Sequence, residues 1–217
     1  MALPAACMLV SAAAAGCAGV APAPGHALTA KVTGPVAVRS APGGHVIAHV
    51  GRRTEYGGRR VYRVVTRRGG WLGVLSPQRP NGRKAWIGAG HAVLREIRWA
   101  IRIDRSARRL TLRRDGRVVR RMLVTVGATS SPTPLGRFAV TDKLWMEPGS
   151  VYGCCALALS GSQTRGSMAG IRLAIHGTRA PEPLGRAASN GCARATRHDL
   201  KWLMRKVALG TPVTVVR

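Results

Sequence analysis

Two short segments carry side chains able to break and remake a bond. The first is Ile175-His176-Gly177-Thr178, and the second is Ser189-Asn190-Gly191-Cys192-Ala193-Arg194. A cysteine is a nucleophile only as thiolate, and an exposed thiol facing an imidazole has its pKa drawn from about 8.5 to well below neutrality. His176 ends an apolar run in which Ile171, Leu173 and Ile175 alternate onto one face, so it is expected at a strand exit, beside a cleft. Cys192 follows a glycine in a loop that leads to a helix. Gly191 permits a close backbone turn in which consecutive N–H groups point at a developing oxyanion. Arg194 supplies a fixed positive charge beside the sulfur, or a clamp for a substrate carboxylate. Spacing alone is equally compatible with a structural Cys–His pair, and no carboxylate is evident to orient His176. No Cys-x-x-Cys spacing exists, and the adjacent Cys154 and Cys155 are poorly placed to chelate, so neither a metal nor another cofactor is expected.

The elements around these segments read mainly as strands. Ile101 and Ile103 alternate with Arg102 and Asp104. Leu110 and Leu112 alternate with Thr111 and Arg113, and Asp115-Gly116 turns the chain into Val118-Val119. Further strands are expected at Met122–Val126, Arg137–Val140, Ala156–Leu159, Ile171–Ile175 and Val213–Val216. One helix stands out: Thr196 and Asp199 form a capping box, and Leu200, Leu203, Met204 and Val207 make an apolar face before a stop at Gly210. Upstream, residues 30–95 read as five short strands separated by Gly, Pro and Asn turns, which suits a small barrel. Trp71 and Trp86 are expected in its core.

Composition sets the outer bounds. The chain has 217 residues, 35 Lys+Arg against 8 Asp+Glu and a formal charge of +27, while 46% of its residues are hydrophobic and 4% aromatic. A core of Val, Leu, Ile and Ala is affordable, and disordered tail, collagen, coiled coil, multi-span membrane protein and disulfide scaffold are excluded. Thirty of the basic residues are arginines spread along the chain. Arginines 109, 113, 114, 117, 120 and 121 gather on one hairpin, the best local candidate for a polyanion-facing surface. Residues 1–29 form an Ala-rich apolar run followed by small residues and prolines, which reads as a secretory or lipoprotein signal with a linker. Gly16-Cys17 would be the lipidation site. Export to the cell envelope is therefore expected, with membrane attachment only through such an anchor.

Two resemblances add to this reading. Val38-Arg39-Ser40-Ala41-Pro42-Gly43-Gly44, Gly69-Gly70-Trp71-Leu72-Gly73-Val74 and Arg79-Pro80-Asn81-Gly82 before Trp86 resemble a bacterial SH3-like module over 30–95. In envelope proteins such modules are usually attached to wall-modifying enzymes. The Ile-His-Gly-Thr segment, a Pro-containing loop, Gly185 and Ser-Asn-Gly-Cys-Ala-Arg closely resemble the signature of the L,D-transpeptidase catalytic domain family. Thr133-Pro134-Leu135-Gly136-Arg137-Phe138, Tyr152-Gly153 and Leu209-Gly210-Thr211-Pro212-Val213 extend the likeness over 97–217. Two positions depart from the family pattern: Asn190 stands where many members carry His, and Ala193 where a larger aliphatic is usual.

The resemblance implies a mostly β fold, in which a small SH3-like barrel precedes a β-rich catalytic domain with one main C-terminal helix. It implies acyl transfer on peptidoglycan stem peptides. Cys192 would attack the diaminopimelate–D-Ala bond, His176 would act as base and then acid, and the Gly177 carbonyl would orient the imidazole. Ser189, Asn190, Gly191, Arg194 and Tyr152 would line or shape the substrate site. A monomer is expected. The competing readings are a non-catalytic wall- or polyanion-binding protein and, against the export signal, a nucleic-acid binder. Cys154 and Cys155, near the cleft segment, are expected as buried or half-exposed thiols, the alternative being that one of them forms a silencing disulfide with Cys192.

Overall fold

The computed structural model describes residues 25–179 and 184–217. The signal and lipidation expectations for 1–24, and the prolines of the loop at 180–183, lie outside these. The first sheet contains β1 (Ala27–Val32), β2 (Val36–Arg39), β3 (Val46–Val50), β4 (Val61–Arg68), β5 (Trp71–Leu75), β6 (Ala85–Gly88) and β7 (Ala92–Ile97). Their order is β3-β2-β6-β5-β4-β1-β7, so β3 and β7 are its edges. Seven strands thus stand where five were expected. β1 lies at the end of the uncharged leader composition, and in β7 the apolar pair Val93-Leu94 is followed by the charged pair Arg95-Glu96, so neither shows an alternating hydrophobic pattern. What makes them strands is their mutual antiparallel pairing, with Ala27 opposite Ile97 and Val32 opposite Ala92. Ala30, Val38, Tyr62, Leu72, Val74 and Ile87 form this sheet's core. Trp86 is buried as expected, whereas Trp71 is half-buried with the Arg39 guanidinium 5.8 Å above its ring.

The second sheet carries the segments with chemistry. Its strands are β8 (Trp99–Asp104), β9 (Arg109–Arg114) and β10 (Arg117–Leu123), and, beyond the short β11 (Val126–Gly127), β12 (Gly136–Trp145), β13 (Cys155–Ser162) and β14 (Arg172–His176). After β15 (Ala187–Ser189), which pairs only with β11, come β16 (Ala193–Arg194) and β17 (Pro212–Val216). The order is β10-β9-β8-β17-β12-β13-β14-β16. The β9–β10 turn is made by Asp115 and Gly116, both at positive φ (51° and 76°), as an Asp-Gly hairpin requires. A bulge between Val118 and Arg120 shifts the register of β10, which ends at Leu123 rather than running on to Val126. Ile171 precedes β14 and is exposed; only Leu173 and Ile175 turn inward.

The one α-helix among the described residues, α1 (Arg197–Lys206), begins as its capping box dictates. The Asp199 N–H donates to Thr196 Oγ1 at 3.0 Å, and the Thr196 hydroxyl donates to the Asp199 carboxylate at 2.9 Å. Leu200, Leu203 and Met204 pack its apolar face into the core, and it ends with Arg205 and Lys206 against the negative pole of its dipole. β13 separates this helix from the cleft. Its odd positions Cys155, Leu157 and Leu159 fill the core, while Ala156 and Ala158 turn the other way. Small side chains on that face leave room for a cavity. Among the described residues no helix is long and apolar enough to cross a membrane.

Candidate active site

His176 is the last residue of β14. It lies opposite Ala156 of β13 on one side and Arg194 of β16 on the other. This placement buries the ring to 6% exposure at the cleft wall. Nδ1 donates to the Gly177 carbonyl at 2.5 Å. That bond puts the proton of the neutral ring on Nδ1 and the lone pair on Nε2, and it supplies the orientation that no carboxylate provides. Tyr152 meets the ring edge-on, with centroids 5.1 Å apart and planes at 84°. Gly153 makes this approach possible: a Cβ there would sit 2.7 Å from the Thr178 nitrogen, and its φ is +71°.

The loop before β16 is tied down from beneath. Ser189, 1% exposed, donates its hydroxyl to the Cys192 carbonyl at 2.6 Å and accepts the Gly191 N–H at 3.1 Å. The Gly191 amide, expected to face an oxyanion, is therefore engaged in shaping the turn. Ser189 borders the cleft but acts on the loop. Sequence reasoning missed Gln163, whose buried amide donates to the carbonyls of Asn190 at 2.9 Å and Ser131 at 3.0 Å. Gly191 sits against it at φ +120°, and a Cβ there would lie 1.9 Å from Gln163 Nε2. Only glycine fits. No local pattern marks Gln163, because it follows β13 and reaches the loop across the fold.

Cys192, His176, Asn190, Arg194 and Tyr152 converge on one cleft of about 570 Å³, floored by Ala156, Ala158 and Ala174. Burial pushes the Cys192 thiol above its ordinary range, against a backbone hydrogen bond at Ala174 and the positive charge of Arg194, which pull it down. The expectation is a thiol depressed below neutrality; the shift runs upward instead, because the site that encloses the sulfur withdraws water from it. Cys154, Cys155 and Cys192 are all free thiols. Cys155 is in the core on the α1 side, where Arg197 and Lys201 act on it, and β13 separates it from the cleft, so it is not poised for a disulfide with Cys192. Tyr56, from the first sheet's 51–60 loop, also borders the cleft, a second contribution the sequence did not reveal. His45 and His49 share a four-residue spacing but lie along extended chain, where that spacing covers about 13 Å and cannot chelate one ion.

Residues 98–215 match a model of the L,D-transpeptidase catalytic domain family, which covers the His176 and Cys192 segments and the strands of the second sheet as far as Val215. The chain belongs to this family. It is 34% identical over 121 residues to the YkuD protein of Bacillus subtilis (strain 168), in a match covering 56% of this chain and 68% of that one. The Bacillus licheniformis YkuD is 32% identical over 119 residues, covering 55% and 66%. Among solved structures, an Enterococcus faecium L,D-transpeptidase mutant aligns at 23% identity and TM-score 0.43 over 54% of this chain and 49% of that one. L,D-transpeptidase 3 of Mycobacterium tuberculosis aligns at 20% identity and TM-score 0.46 over 64% and 70%. The chain thus spans about half of the Enterococcus protein it matches.

Proposed function

We propose that this member of the family is a cysteine acyltransferase of peptidoglycan, exported to the cell envelope, with Cys192 as nucleophile. The observation that carries the reading is the shared cleft in which His176, locked by the Gly177 carbonyl, stands with Cys192 and Arg194. His176 Nε2 takes the proton of the Cys192 thiol as sulfur attacks the carbonyl joining diaminopimelate to the terminal D-Ala of a tetrapeptide stem. The same proton then passes to the departing D-Ala amine, leaving a thioester. The side-chain amine of a second stem attacks the thioester, forms the cross-link, loses a proton to His176 and restores the thiol.

A raised thiol pKa makes the base necessary, because little thiolate stands ready at neutral pH. With the Gly191 N–H given to Ser189, the Cys192 N–H is the amide left in this turn for the oxyanion, held in place by Gln163 and Ser189. Arg194 stabilises the thiolate as it forms and is placed to meet a stem carboxylate. Tyr152 and Asn190 flank the entering peptide. Asn190 cannot serve as a base, so the proton traffic rests on His176 alone.

Incubation with tetrapeptide muropeptides tests this, followed by mass spectrometry. Wild type releases D-Ala and yields cross-linked dimers. Cys192→Ala and His176→Ala yield neither while keeping the wild-type melting transition. Identical products from wild type and Cys192→Ala would refute the reading.

A further inference from the structure

The 51–60 loop between β3 and β4 has two sides. One carries Glu55 and Tyr56 to the second sheet. The other closes, against β1, a concavity of about 430 Å³ walled by Lys31, Val32, Thr33, Arg52, Arg53 and Arg59. Four of the six are cations and none is acidic. The loop is shaped from within by Arg60, which is 7% exposed. Its Nε donates to the Gly51 carbonyl at 3.0 Å, its Nη2 to the Arg53 carbonyl at 2.7 Å, and its backbone N–H to the Arg52 carbonyl at 2.7 Å. Backbone bridging of Arg53 with Arg59 then sets the loop's two arms side by side. The cations are thus gathered by a braced loop, which free surface arginines on a flexible turn would not be.

Among the described residues their charge is unanswered. Glu55 is the only acidic residue in the first 95, and it is spent on Arg172 of β14 across the two sheets. Tyr56 lies over the same Arg172 guanidinium at 6.0 Å. Among the described residues the side chains of Lys31, Arg52 and Arg59 make no hydrogen bond or ion pair, and Arg53 gives a single N–H to the Gly57 carbonyl at 2.7 Å. Four like charges around one hollow repel each other in the free protein, and a multivalent anion relieves that repulsion while accepting their hydrogen bonds. Three of the four are guanidiniums, whose planar forks bind phosphate oxygens in pairs.

We propose that this concavity is a binding site for clustered phosphate groups, two or more on one ligand, as a phosphodiester-linked polyol or an oligophosphate presents them. A thin, flexible chain can bend into such a hollow. Duplex DNA, stiff over about 150 base pairs, cannot.

The test uses the full chain and two probes, a short poly(glycerol phosphate) and inorganic tripolyphosphate, titrated at 50 and 200 mM salt. Wild type binds at least one, and mutual displacement shows whether polymer and free oligophosphate share the site. The triple variant Lys31→Gln, Arg52→Gln, Arg59→Gln is expected to weaken binding about thirtyfold and to flatten the slope of log K against log salt by about 2 to 3. Removing the same charge from the hairpin, by Arg109→Gln, Arg113→Gln and Arg121→Gln, should change affinity less than about threefold. Arg52→Gln alone, at an exposed side chain without a partner, should still cause a loss of several fold, and it keeps the result readable if the triple variant unfolds. Equal losses from the two triples, failure of both probes to bind, or duplex DNA bound as tightly with the same dependence on Lys31, Arg52 and Arg59 would each overturn the assignment.

Discussion

At the scale of single residues, the site sets opposing influences on one sulfur atom. Burial holds Cys192 as a thiol, and Arg194 works against burial. Arg194→Gln removes that opposition, so the thiol pKa rises further. The pH profile of iodoacetamide alkylation should move toward alkali, and D-Ala release at neutral pH should fall by about tenfold. An unmoved alkylation profile would show that Arg194 does not act on the sulfur. Gln163 touches no substrate in this scheme and acts through the carbonyl of Asn190. Gln163→Ala lets the turn drift while Ser189 still closes it. Because a displacement of about 1 Å at a reacting group costs about 100-fold in rate, kcat should drop by that order with KM nearly unchanged. A loss confined to KM would instead place Gln163 in substrate binding. The residue types of this machinery were legible in the sequence, since His176, Cys192 and Arg194 lie in two short segments. The direction of the thiol shift was not, because it depends on how fully β13, β14 and the loop enclose the sulfur.

At the scale of elements, α1 is the piece whose formation the sequence specifies most completely. Thr196, Asp199 and the spacing of Leu200, Leu203 and Met204 fix its start and its buried face without help from elsewhere. Thr196→Ala removes the acceptor for the Asp199 N–H and should cost about 1 kcal/mol, read as a melting temperature lower by about 2 to 4 °C for a chain of this size. No change would mean that Asp199 and water replace the cap. The strands were legible where one face is apolar, as in β8 and β9. β1 and β7 escaped because their identity lies in pairing with each other, and the end of β10 escaped because a bulge is a property of two strands together. Tyr56 escaped for the same reason at longer range. It belongs to a loop of the first sheet but forms part of the cleft of the second. Tyr56→Ala should raise KM for the stem peptide several fold and leave kcat within about twofold, since uniform binding is removed and the reacting groups stay in place. A fall in kcat alone would remove Tyr56 from the substrate wall.

At the scale of the whole molecule, polar contacts tie the two sheets together while buried acids limit the pH range of the fold. Asn81 exchanges two hydrogen bonds with the backbone of Ser162, at 2.7 and 3.0 Å, Thr54 donates to the buried carboxylate of Asp142, and Glu55 pairs with Arg172. Burial raises the Cys155 thiol to about 12, with Cys154 adding to the rise, and burial also raises the Tyr62 phenol. For an acid whose folded pKa exceeds its unfolded value, the stabilisation is complete below the unfolded pKa and is lost as pH climbs through the folded one. The Cys155 contribution is therefore intact below about pH 8.5, the value of an unfolded thiol, and disappears toward pH 12. Thirty of the 35 cations are arginines, which stay charged throughout that window, so the self-repulsion of a +27 chain changes little while the thiol titrates. Urea midpoints measured between pH 8 and 11 should fall steadily for wild type. They should fall less steeply for Cys155→Ala, where only the Tyr62 contribution of the two remains. Parallel pH slopes in the two proteins would show that Cys155 ionises as easily folded as unfolded, and that the α1 face of β13 is open to water.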